Sequence, residues 1–132
     1  MPPIHSAFVD DIEKLTVENS YYRNVIFTTD DKGMQLVLMS LKSGEDIGEE
    51  IHPNVNQFFR IEQGQGKVVY KDEKKERDIK DDDAIIIPAG MLHNIVNTGN
   101  KDLKFYSIYT PANHPHNTID KTKEDADKRE HH

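Results

Sequence analysis

Two histidines and two residues with side-chain oxygens stand out in this chain as groups able to hold a metal ion. Glu50 and His52 are separated by one residue, Gln57 follows a short way on, and His93 lies well downstream. On a β-strand, positions i and i+2 share a face, so Glu50 and His52 point the same way. Glu49 takes the place of Glu50 if the strand shifts by one residue, but by parity it faces away. Two imidazoles, a carboxylate and an amide oxygen suit one divalent ion, non-haem Fe(II), Mn, Ni or Zn, with positions left open for a ligand. The chain contains no cysteine. That removes disulfides, thiolate nucleophiles and Cys-ligated zinc or iron–sulfur clusters, and leaves His, carboxylate and amide as the available donors.

The elements that must position these groups are short strands. Pro53 cannot extend a ladder, so the Glu50–His52 strand ends there and the chain turns through Asn54–Asn56. A hairpin of this kind returns Gln57 beside His52, with Gln57, Phe59 and Ile61 on one face. A third strand, opened by the turn at Pro88 and Gly90, offers His93, Ile95 and Asn97 together. Residues 25–29, 34–41, 57–61, 67–71, 84–87, 93–96 and 103–109 all read as strands between Gly-, Asn- and Asp-rich turns. Short strands at near-regular spacing imply an all-β sandwich or barrel. A helical turn is expected over 10–15, and Thr122 is placed to cap a charged helix over 123–130. The run 71–83, dense in mixed charge, reads as a solvated hairpin. The chain divides into an N-terminal arm (1–22), a barrel (23–110) and a C-terminal tail (111–132). His131 and His132, which resemble the stub of a purification tag, are set aside.

The same residues carry a family resemblance. The spacing is similar to the two cupin motifs, G(X)5HXH(X)4E(X)6G and G(X)5PXG(X)2H(X)3N. Gly44, His52 and Gly64 fall in register with the first, and Pro88, Gly90, His93 and Asn97 with the second. Only 17 residues, 65–81, separate the motifs, as in compact single-barrel cupins. Residues 23–123 resemble a group of small cupins often labelled mannose-6-phosphate isomerase-like. The resemblance implies a double-stranded β-helix, a jelly-roll-like barrel, with Glu50, His52, Gln57 and His93 as ligands of one divalent metal. Three positions depart from the motifs: Glu50 replaces the first His, Gln57 the Glu, and Asp82 the opening Gly of the second motif. The first two changes offset each other in charge, so the metal keeps a similar net charge and a similar power to acidify bound water. A Gln, a Glu and two His is also the set that phosphomannose isomerase relatives use for zinc.

Met39, Phe59, Ile61, Ile95 and Tyr106 are expected to form pocket wall and core. His114 and His116, in a Pro-containing segment, either fold over the barrel mouth as acid or base or are surface residues. The leading functional reading is a metal-dependent enzyme on a small polar molecule, of sugar isomerase or epimerase type. An Fe-dependent dioxygenase is an alternative, and so is a non-catalytic module that binds a metal or small ligand. No dedicated base stands out. At 132 residues and a net charge of −7, the chain is one small acidic domain, which disfavours nucleic acid and anionic membranes as partners. The start of the chain lacks the pattern of a signal peptide, so a cytoplasmic location is expected.

Residues 34–41 are apolar on both faces of one strand. One face fills the barrel, and the other needs cover, since an exposed flat apolar strand invites edge pairing and aggregation. A second copy of the chain related by a two-fold axis would supply it, so a homodimer is expected.

Overall fold

A computed structural model describes residues 6–70 and 74–130. The readings above for positions 1–5 and 71–73, and for His131 and His132, lie outside the described residues. The chain forms α1 (Ile12–Glu18), β1 (Arg23–Thr28), β2 (Gln35–Leu41), β3 (Asn56–Gln63), β4 (Gln65–Tyr70), β5 (Lys75–Lys80), β6 (Ala84–Ile87), β7 (His93–Asn97), β8 (Leu103–Thr110), β9 (Ile119–Asp120) and α2 (Lys123–Glu130). A six-stranded sheet has the order β6-β3-β8-β2-β1-β9, and a three-stranded sheet the order β5-β4-β7. The expected all-β architecture with short terminal helices is therefore present.

Strand alternation decides which side chains enter the core. On β8, Leu103, Phe105, Ser107 and Tyr109 are buried, while Lys104, Tyr106, Ile108 and Thr110 lie on the other face. The large sheet adds Val37, Met39, Leu41, Phe59 and Ile61, and the small sheet answers with Val68, Ile79 and Ile95. Phe59 and Phe105 meet edge to face with ring centres 5.7 Å apart, the arrangement that aromatic quadrupoles favour. Met39, Phe59, Ile61 and Ile95 are buried in the interior. Tyr106 is not. It sits on the outer face beside Phe58, and the inward tyrosine, three residues further on, is Tyr109.

The segment before β3 differs from the expected hairpin. Residues 44–52 run against β7 through bridges at Asp46↔Val96 and Glu50↔His93, so they extend the small sheet. β3 belongs to the large sheet, with β6 and β8 on its two edges. Both edges of β3 are thus filled, and no hairpin with 50–52 is available. The chain instead crosses from one sheet to the other at Pro53, which places Gln57 opposite the Glu50 segment rather than next to it in a ladder.

The outer face of β2 also differs from expectation. Leu38 and Ser40 are buried within a single chain. α1 lies over this side of the sheet, packed on β8, β3 and β2, and Lys104 Nζ donates to the carbonyl of Asn19 at its end. Asp11 caps α1 by accepting from the Lys14 amide. The chain's own N-terminal segment thus covers Leu38 and Ser40, whereas Leu36 on the same face stays half-buried and Met34 exposed.

The C-terminal residues are likewise part of the barrel. β9 pairs with the start of β1, Ala126 of α2 enters the core, and Lys123 pairs with Asp46. Thr122 Oγ1 accepts from the Asp125 amide, as a cap should. Two motif positions show their physical reason in the backbone. Gly64 has φ +96°, and a Cβ there would lie 2.9 Å from the Asp102 carbonyl oxygen. Asp82, where the motif has Gly, also sits at positive φ, 74°, a conformation Asp tolerates better than most residues.

Candidate metal centre

Glu50, His52 and His93 converge, each offering a ligand atom within 4.8 Å of the others. The local backbone explains it. Glu50 and His93 exchange backbone hydrogen bonds of 2.9 Å in both directions, so their side chains start from opposed positions. His52 is fixed by the following turn, where its carbonyl accepts from Gly90 at 2.9 Å. Its Nε2 stands 3.1 Å from Glu50 Oε2. Glu49 is exposed, as its parity predicts.

His93 is 1% exposed. Burial, the largest influence, holds its pKa below the ordinary histidine value, so the ring is neutral near pH 7. Its Nδ1–H donates to the Met91 carbonyl at 2.9 Å, which leaves the Nε2 lone pair facing the cluster. That atom is buried and has no protein partner. Gln57 repeats the pattern. Its amide Nε2 donates to Ser107 Oγ at 3.0 Å, and its Oε1 is buried without a partner. Buried acceptors normally find donors. Two orphaned acceptors of ligand type, one within the His/Glu cluster and one on the adjoining wall, fit a cation.

Gln35, Tyr109 and Gln57 occupy neighbouring register positions across the large sheet, forming an inward polar row at one end of the barrel. The segment after β8 folds onto that row. Gln35 Oε1 accepts from the backbone amides of Asn113 and His114, and its Nε2 donates to the His114 carbonyl at 2.6 Å. This clamp sets the His114 ring against Tyr109, with centroids 5.2 Å apart and Nε2 3.3 Å from the phenol oxygen. Tyr109 in turn packs on the His52 ring. Burial, followed by the charge of Glu50, pushes the Tyr109 phenol far above its usual range, so it remains a donor. Burial, with the charge of Arg23 next, lowers His114 to about 3, so it stays neutral. His116 is exposed and contacts Thr28 Oγ1. Of the two tail histidines, only His114 reaches the site.

Asn97, the last residue of the second motif, plays a framework part. Its Nδ2 donates to the carbonyls of Leu41 and Lys101, and its Oδ1 accepts from the Gly99 amide. Arg60 and Lys67, the cations that the sequence offers for an anionic ligand, are engaged elsewhere: Arg60 with Glu62 and Asp82, Lys67 with Glu76. The buried cation beside the site is Arg23, 1% exposed. A guanidinium nitrogen lies 3.9 Å from Glu50 Oε1 and another 3.3 Å from Asp120 Oδ2. Sequence reasoning missed Arg23, although its phase with the inward Val25 on β1 was a signal. It also missed Tyr109, Ser107 and Gln35. A surface cleft of about 490 Å³ bounded by Phe8, Leu15, Ile26 and Leu38 lies on the outer face of the large sheet, away from this chemistry. Among the described residues, no helix is long and apolar enough to cross a membrane.

Comparison with known proteins gives a consistent picture. The family described as the cupin domain matches residues 37–109. The uncharacterized protein YrkC of Bacillus subtilis is 51% identical over 123 residues, covering 90% of this chain and 65% of YrkC. This chain thus spans just under two thirds of that relative. An oxalate-binding protein of Thermotoga maritima is 32% identical over 78 residues, 59% of this chain and 63% of that protein. The crystal structure of BH2720 from Bacillus halodurans superposes with a TM-score of 0.89 at 46% identity, covering 93% of this chain and 95% of that one.

Proposed function

The chain belongs to the cupin family, and from that premise we propose that it is a metal-dependent enzyme acting on a small polar molecule inside the barrel, with chemistry of the sugar isomerase or epimerase type. The observation that carries this reading is the His93 Nε2 lone pair, buried without a partner beside Glu50 and His52. An unsatisfied buried acceptor costs about 1–3 kcal/mol, and a bound cation removes that cost. Glu50, His52 and His93 would hold one divalent ion, Zn, Fe, Mn or Ni, with Gln57 Oε1 as a fourth donor. When bound, such an ion polarises a carbonyl or hydroxyl oxygen of its ligand.

The chain's own residues shape what that ligand is. Glu50, Arg23, Asp120 and Arg129 together carry no net charge. A divalent ion therefore leaves the site positive, which favours an anionic ligand. Tyr109 and His114 present neutral polar groups toward it, while Phe59, edge-on to His93, keeps one wall apolar.

A second reading, a binding module for a small dicarboxylate without turnover, is favoured by one observation. His114, the tail group nearest the centre, is lowered to about 3 and so makes a weak base at neutral pH. The Thermotoga maritima relative named as oxalate-binding points the same way. The deciding experiment loads metal-stripped protein with Zn, Mn or anaerobic Fe(II) and measures stoichiometry. Sugar-phosphate isomerisation, oxygen uptake and calorimetric titration with oxalate follow. Isomerisation supports the enzyme as proposed, and metal-dependent oxygen uptake moves the reading to a dioxygenase. Oxalate binding with no turnover supports the module, and failure to bind any metal overturns both enzyme readings.

A further inference from the structure

We propose that Asp120 is a positioning residue for the metal centre: by holding the Arg23 guanidinium, it keeps the Glu50 carboxylate available to the ion. This rests on the metal site proposed above. Glu50 divides its oxygens, Oε2 toward His52 at 3.1 Å and Oε1 toward Arg23 at 3.9 Å. The second distance is too long for a hydrogen bond. Arg23 makes its closer contact with Asp120, at 3.3 Å. Asp120 is 3% exposed and is itself gripped by Arg129 of α2, whose Nε donates to Oδ1 at 3.1 Å and whose terminal nitrogen donates to Oδ2 at 2.9 Å. A row of alternating charges, Glu50–Arg23–Asp120–Arg129, thus runs from the barrel interior to the C-terminal helix.

The alternation matters because guanidinium and carboxylate pair most strongly in a bidentate fork. With Asp120 neutralised, the nearest carboxylate left to Arg23 among these groups is Glu50. A fork there would occupy both oxygens, one of which the ion needs. With one counter-charge removed, the guanidinium would also repel the ion more strongly. Both effects weaken metal binding, and both act through Arg23. Nothing in the order of residues along the chain ties Asp120 to His52 or His93. The link exists because β9 pairs with β1, bringing Asp120 opposite Arg23 in register.

The test measures Zn²⁺ affinity of the full chain by competition with a chromophoric chelator. Asp120→Asn should weaken zinc by about tenfold, within the range of coupling energies for residues in one charge network. Asp120→Glu should restore most of the affinity. In an Arg23→Gln background, Asp120→Asn should change affinity less than about twofold, because the competitor is gone. Arg129→Gln serves if Asp120→Asn fails to fold. It frees Asp120 to hold Arg23 more firmly, so zinc should bind as well or tighter, whereas a merely structural role for this cluster predicts loss. Unchanged affinity in Asp120→Asn, an equal loss with and without Arg23, or weakened zinc in Arg129→Gln each overturns the inference. Absence of zinc binding by the unmutated chain overturns the metal reading itself, a distinct result.

Discussion

Replacing His93 by leucine separates a ligand from a framework residue. In the metal-free chain the Nε2 of His93 is buried and unsatisfied, a cost of about 1–3 kcal/mol that an apolar side chain of similar volume relieves. Against this, the Nδ1–H bond to the Met91 carbonyl is lost, worth about 1 kcal/mol. Imperfect repacking against Phe59 costs up to about 1.5 kcal/mol. These terms nearly cancel, so metal-free His93→Leu should unfold within about 1 kcal/mol of the parent. With zinc at 100 times its dissociation constant the parent gains about 2.7 kcal/mol, a rise in midpoint on the order of 8–10 °C for a chain of this length, and the variant gains almost none. Thermal unfolding followed by circular dichroism, in chelator and then in zinc, reads both halves. A loss of 3 kcal/mol or more in chelator, or equal zinc-induced shifts in the two proteins, would refute the reasoning.

Three further predictions follow from the same geometry. Because burial lowers both His93 and His114, the unfolded state binds protons first as pH falls. Metal-free stability is therefore full above the unfolded histidine value near 6.5 and declines as pH falls below it, in the case of His114 down to about 3, by up to ~1.4 kcal/mol per pH unit for each group. Urea titrations in chelator at pH 7.5 and 5 check this, and His114→Gln should flatten the slope by up to one proton. Gln57→Glu adds a charge at the orphaned Oε1 position, so zinc should bind more tightly while the metal-free protein loses stability; unchanged zinc affinity would remove Gln57 from the ligand set. Leu38→Glu places a carboxylate beneath the chain's own N-terminal segment and should cost about 3 kcal/mol or more in urea unfolding, where disruption of a dimer would instead appear as a change of mass in light scattering.

Much of the fold was legible because alternation and turn chemistry are local. β2, β3, β6, β7 and β8 fall close to where β-branched and aromatic runs between Gly, Asn and Asp turns place them. The cap at Thr122 and the start of α1 were legible for the same reason, since a cap needs only its own next few residues. β9 was not. A two-residue strand, Ile119–Asp120, has no periodicity of its own and exists because β1 offers it an edge. Tyr106 was misplaced by one pleat, and a shift of one residue on a strand exchanges inside for outside.

For the site, residue type and spacing by themselves determined that Glu50, His52 and His93 are candidate ligands. They also determined that any ion must be held without thiolate sulfur, because the chain contains no cysteine. Only the tertiary structure decided how those ligands are supported. Glu50 and His93 meet by pairing across the small sheet, and Gln57 lies on β3 of the opposite sheet. Arg23 and Asp120, 97 residues apart, join the network through the β1–β9 pairing. The partial cover of β2 by α1 was equally out of reach, since an apolar face says that cover is needed and not which segment provides it. The physical reason is common to all of these. Propensity, parity and capping act over a few residues, whereas the partner of a buried charge is chosen by which strands share an edge, and that choice is made by the packing of the whole chain.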